Sequence, residues 1–87
     1  MTREKFIARL TEAETRWDLT IESDCINGGL FSATIISGDP DQFTITTNRG
    51  DSMTLDISES EIEVIDEDYK YSFIVAGITF VICESIF

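Results

Sequence analysis

The chain has no histidine among its 87 residues, and with that it lacks the side chain most often used as a general base or metal ligand near neutral pH. Only two cysteines are present, Cys25 and Cys83, and nothing around them has zinc-site spacing. With no export signal in "MTREKFIARL", they are expected to be reduced core thiols rather than a bridge. Apolar runs are short. The longest, "SFIVAGITFVI", is too brief and too β-like to span a bilayer, so a soluble, cytoplasmic chain is expected. Serine occurs without a nucleophile elbow and glycine without a phosphate loop, and no carboxylate pair stands out as acid and base. No catalytic residue, metal ligand or cofactor is expected, and the chain reads as a non-enzyme.

Bases are also scarce: six Lys and Arg face seventeen Asp and Glu, for a net charge of −11. The imbalance is not uniform. Residues 1–17 carry Arg3, Lys5, Arg9 and Arg16 against Glu4, Glu12 and Glu14, a net of +1, whereas the remainder has fourteen acids against Arg49 and Lys70, a net of −12. Such a field repels nucleic acid and anionic lipid and draws the chain toward basic surfaces, so neither direct nucleic-acid binding nor membrane binding is expected.

At 43% hydrophobic, the sequence has enough apolar side chain for one core, and residues 1–87 are read as a single α+β domain. Phe6, Leu10, Ala13 and Trp17 recur at helical steps with Ile7 widening the stripe, which predicts a helix over about 3–16 capped by Thr2, with a Glu12–Arg16 pair one turn apart. From Trp17 the period falls to two. Strands and hairpins are expected over 17–85, giving one N-terminal helix packed on a mostly antiparallel sheet of about five to seven strands. "INGGL", "GDPDQ" (with Pro40) and "NRGDS" are turns or loops, and "YSFIVAGITFVI" is a hairpin about Ala76 and Gly77. Its second arm is apolar on both sides, Ile78, Phe80 and Ile82 against Val81 and Cys83, and the terminal Ile86 and Phe87 are expected to dock on the body.

The segment "DISESEIEVIDEDY", residues 56–69, holds seven carboxylates and no base among β-branched residues. Met53, Leu55 and Ile57 are apolar at odd positions, Ile62 and Val64 at even ones, so the strand must break at "SES", with a fifth strand near 61–65. Asp56, Glu61 and Glu63 then point outward, and Asp66, Glu67 and Asp68 extend the row; with Glu59 these are the expected partner-binding residues. Same-face strand residues repeat every ~6.5 to 7 Å, a scale comparable to the stagger of backbone phosphates. The segment, in a small compact α+β chain, resembles the small acidic inhibitors of phages and mobile elements, the anti-CRISPR and DNA-mimic proteins. That resemblance implies a protein–protein inhibitor, placed in the host cytoplasm if phage-encoded, whose carboxylates meet arginines and lysines of a nuclease or other basic nucleic-acid-processing complex. Two alternatives stand beside it. One is an immunity protein for a basic nuclease toxin. The other is a structural or accessory subunit whose acidic face only solubilises, and which forms a homodimer through the apolar C-terminal hairpin at Ile78 and Phe80.

Overall fold

A computed structural model describes residues 1–22, 28–39, 41–66 and 69–85, with Gly38 and Asp39 as backbone only. Cys25, Pro40, Glu67, Asp68, Ile86 and Phe87 lie outside the described residues, so the expectations attached to them are not addressed. Helix α1 (Arg3–Leu10) is followed by β1 (Trp17–Glu22), β2 (Gly29–Asp39), β3 (Gln42–Thr46), β4 (Ser52–Asp56), β5 (Glu63–Asp66), β6 (Lys70–Val75) and β7 (Ile78–Glu84). The strands form one sheet in the order β4-β3-β2-β1-β7-β6-β5, with every pairing antiparallel. The α+β class, the seven strands and the hairpin about Ala76 and Gly77 agree with the sequence reading.

The helix starts as its sequence dictates: Thr2 is the N-cap, and its hydroxyl accepts the Lys5 amide proton at 3.2 Å. It stops six residues earlier than the apolar period predicts. Thr11 turns both its amide and its hydroxyl onto the Ile7 carbonyl, and the Trp17 indole donates to the Leu10 carbonyl at 3.1 Å, satisfying a helix-end acceptor with a side chain. Trp17 continues the helical stripe in sequence but reaches the core from β1 instead. Ala13 is exposed, and Glu14 takes a left-handed φ of 64°. The expected Glu12–Arg16 pair does not form: Glu12 bonds Arg9 at 3.1 Å, and Arg16 donates to the Ser32 carbonyl at 2.8 Å and to Asn48 Oδ1 at 3.0 Å.

A flat sheet would put β3 and β6 four strand spacings apart, about 19 Å at ~4.8 Å each. The Phe43 ring on β3 and the Phe73 ring on β6 are 5.8 Å apart, edge to face. The sheet therefore curls strongly. Phe6 of α1 lies between its ends, 6.1 Å from Phe43, 5.5 Å from Tyr71 and 5.6 Å from Phe73. The bends come from extra residues in the ladders, which increase local twist. Against β1, strand β2 carries one such residue around Ser32, whose φ is 51°. That conformation is held by Asp18, which accepts the Ser32 amide proton at 2.7 Å, and by Arg16 on the Ser32 carbonyl. A further irregularity lies between Ser37 and Asp39, and another between Val64 and Asp66.

The inward set is Trp17 and Leu19, Ala33 and Ile35, Phe43 and Ile45, Leu55, Tyr71 and Phe73, and Phe80 and Ile82; with Phe6, Ile7, Leu10, Ile57 and Ile62 these form one buried cluster. Phe80 stacks on Phe73 at 5.6 Å and belongs to the core. Cys83 also departs from expectation. It lies on the outward side of β7, half-buried and unbridged, paired across the ladder with Asp18 and Lys70. Burial, and then the Asp18 carboxylate, push its thiol above the ordinary value, while Lys70 acts in the opposite sense.

Two outcomes test this account of the fold. Phe73→Ala removes the ring that joins the two ends of the sheet and should cost about 3–5 kcal/mol in urea unfolding. Trp17→Phe keeps an aromatic side chain but loses the indole N–H and leaves the Leu10 carbonyl unpaired, and should cost about 1–3 kcal/mol.

Candidate functional site

The acidic segment is the connection that joins the two outer strands of the sheet. Strand β4 ends at Asp56; residues 57–62 then make a turn, closed by the Ser60 amide on the Ile57 carbonyl at 3.0 Å, and β5 begins at Glu63. The parity break at "SES" is thus a complete change of edge. Because β4 and β5 lie at opposite ends of the strand order, Asp56 and Glu63 do not belong to one strand row with a 7 Å repeat. What fixes the connection is its isoleucines. Ile57 and Ile62 are both buried, and the Ile57 amide donates to the Asp41 carbonyl at 2.7 Å. With those two anchored inward, Asp56, Glu59, Glu61 and Glu63 are left exposed.

Asp66 sits at the other end of β5, half-buried and opposite Lys70. It has the opposite parity to Glu63, but the irregularity at Ile65 returns it to the same side: Glu63 faces Ser72 and Asp66 faces Lys70, two positions on one side of β6. Val64, expected to point inward, is 37% exposed because no further strand covers it. The structure therefore brings together Asp56, Glu59 and Glu61, keeps Glu63 beside them, and sets Asp66 apart.

An open groove runs between the connection and the β6–β7 turn. Asp56, Glu59 and Glu61 line one side, Ile74, Ala76 and Gly77 the other, and no lysine or arginine contributes to it. Parity alone gave no sign of the second wall. The signal for it is the "AG" pair, since Ala76 and Gly77 both take positive φ, 52° and 80°, the requirement of a tight two-residue hairpin turn. Ser60 joins the two walls by donating its hydroxyl to the Ile74 carbonyl. Glu61 also borders a second depression beside the helix start, where Arg3 bonds Asp41 at 2.8 Å.

None of the bases of the first segment lines this groove. Arg3 is bound to Asp41, Arg9 bridges Glu12 and Glu84 and lies 5.0 Å from the Trp17 ring, and Arg16 clamps Ser32. Among the described residues, no cluster of carboxylate and cysteine side chains is arranged to hold a metal ion, and no helix is long and apolar enough to cross a membrane. Compared with protein-family models, curated proteins and solved structures, the chain matches none.

The acidity of Asp56 is perturbed. Its Oδ1 accepts the Ser58 amide proton at 2.9 Å, and that bond, then the Ser58 hydroxyl and Gln42, hold its pKa below the ordinary 3.8. A depressed carboxylate stabilises the fold above its unfolded pKa, and that contribution is lost as pH falls through the lower, folded value. In a carbon-detected NMR titration, the Asp56 carboxyl should titrate below 3.8 with the Ser58 amide shift following the same curve. Ser58→Pro, which removes the donor, should return it toward 3.8.

Proposed function

We propose that the chain is a non-enzymatic acidic inhibitor that occupies the basic nucleic-acid-binding surface of a nuclease or defence complex. The observation that carries this reading is the groove in which Asp56, Glu59 and Glu61 converge with no base in its lining, and with Glu63 beside it. In this reading α1 lies over the concave side of the sheet, so the carboxylates stand outside the core on a connection fixed by Ile57 and Ile62. A rigid acidic surface presented this way steers encounter with a basic cleft and competes there with phosphates. The partner's arginines and lysines take the place that Arg3, Arg9 and Arg16, engaged within the chain, do not fill. A nuclease toxin neutralised by its immunity protein would present the same chemistry, and identification of the captured partner tells the two apart.

The test is a variant in which Asp56, Glu59, Glu61 and Glu63 become amides, used beside the native chain as bait for lysate capture at low and high salt. The circular dichroism spectrum should be unchanged, since all four side chains are exposed. The native chain should retain a basic nucleic-acid-binding protein that elutes with salt and is displaced by added duplex. The amide variant should associate with that protein on the order of 10 to 10³ times more slowly. Equal capture by the two baits, or binding that high salt leaves intact, would overturn the proposal.

A further inference from the structure

We propose that the free edge of β4 is a self-association surface, on which a second copy of this chain pairs its own β4 antiparallel about a two-fold axis through Thr54. The inference rests on hydrogen-bond phase and shares only Asp56 with the acidic groove. In the β3–β4 ladder, Phe43 faces Leu55, Thr44 faces Thr54 and Ile45 faces Met53. Just beyond its ends, the Thr47 amide donates to the Asp51 carbonyl at 2.8 Å and the Ile57 amide to the Asp41 carbonyl at 2.7 Å. Bonded and non-bonded pairs alternate along an antiparallel ladder. With 47/51 and 41/57 bonded, 45/53 and 43/55 are bonded as well, and Ser52, Thr54 and Asp56 aim their N–H and C=O groups away from β3. Strand β4 ends the sheet, and those three residues are exposed.

The edge has few of the devices that block strand addition. It has no lysine, no proline and no bulge, and its register is unbroken over all five residues. Folded onto itself about Thr54, "SMTLD" is self-complementary: Met53 meets Leu55, Ser52 meets Asp56, and Thr54 meets Thr54. That last pair extends the hydroxyl contact already present between Thr44 and Thr54 at 2.8 Å. The three pairs that include Ser52, Thr54 and Asp56 would each exchange two backbone bonds. The opposite edge of the sheet differs in length, regularity and charge. Strand β5 is four residues long, is irregular at Ile65, and in the equivalent antiparallel pairing would set Glu63 against Asp66, like charge on like. A net charge of −11 on each copy opposes association, so pairing should strengthen as salt rises.

Sedimentation equilibrium of the purified chain tests this, at concentrations up to about 1 mM, where even weak complexes populate. The native mass should rise from 9.8 kDa toward twice that value with concentration, more at about 0.5 M than at about 0.05 M salt. Thr54→Pro removes an N–H that the β3 ladder does not use, and should stay at 9.8 kDa. Thr54→Lys, which keeps the backbone intact and sets two ammonium groups face to face, should also stay monomeric. Val64→Lys on the other edge should associate like the native chain. A native chain that remains monomeric in both salts would overturn the proposal. So would a dimer that persists in Thr54→Lys, or one lost only in Val64→Lys.

Discussion

The contact between Phe43 and Phe73, 5.8 Å from centroid to centroid, is the constraint from which the rest of the architecture follows. Two rings four strands apart meet only if the sheet bends round on itself, and Phe6 lies where they meet. Once they do, the two outer strands are brought to the rims of one open structure, and a connection of six residues, 57–62, is long enough to carry the chain from β4 to β5. A flat seven-stranded sheet would not allow this, because its outer strands stand about 29 Å apart, six spacings of ~4.8 Å, and the seven steps from Asp56 to Glu63 span at most about 25 Å. The acidic connection thus owes its position to an aromatic cluster in which it has no aromatic residue.

The curl has a polar counterpart on the outside. A residue inserted into β2 leaves Ser32 at a φ that an L residue rarely adopts, and that conformation persists because Asp18 takes its amide proton while Arg16 binds its carbonyl. Arg16 then reaches Asn48 in the β3–β4 loop, so one guanidinium connects β2 with the next hairpin. Its five fixed donors suit it to that task in a way a lysine would not match.

Much of this was legible in the sequence because burial on a strand enforces a period of two. The alternations around Trp17, Phe43, Leu55 and Tyr71, the Ala76–Gly77 turn and the break at Ser58–Ser60 all appear in the structure where parity places them. What parity does not carry is information about partners distant in sequence. The helix looked longer than it is because Trp17 falls in phase with Phe6 and Leu10, although its indole is used to close the helix end. Cys83 reads as a core residue because its neighbours are apolar, yet it faces outward between Asp18 and Lys70. Likewise the even spacing of Glu61, Glu63 and their neighbours suggests a single strand row, whereas the chain is changing edges there. The residue that returns Asp66 to the side of Glu63 is one extra position in a ladder, and composition does not reveal it.

The distribution of charge follows from the same geometry. A chain with seventeen acids and six bases cannot neutralise itself, so which acids remain without a base depends on where the fold spends its cations. Arg3 goes to Asp41, Arg9 to Glu12 and Glu84, and Lys70 stands across from Asp66; Arg16 is occupied by a carbonyl and an amide. Arg3 and Arg9 lie on the helix, Arg16 just before β1 and Lys70 at the start of β6. None lines the groove where the 57–62 connection meets the β6–β7 turn. Exposed ion pairs such as Arg3–Asp41 add little stability, about 0–1 kcal/mol, so their larger effect is on the field: they neutralise bases elsewhere and leave Asp56, Glu59, Glu61 and Glu63 exposed and outside the ion pairs of the described residues. An added lysine at the β6–β7 turn would dissipate that field without touching the core, whereas the loss of Ile57 or Ile62 would leave the charges in place and their geometry undefined. A surface meant only to keep a protein soluble needs the charge; one meant to be recognised also needs the two buried isoleucines beneath it.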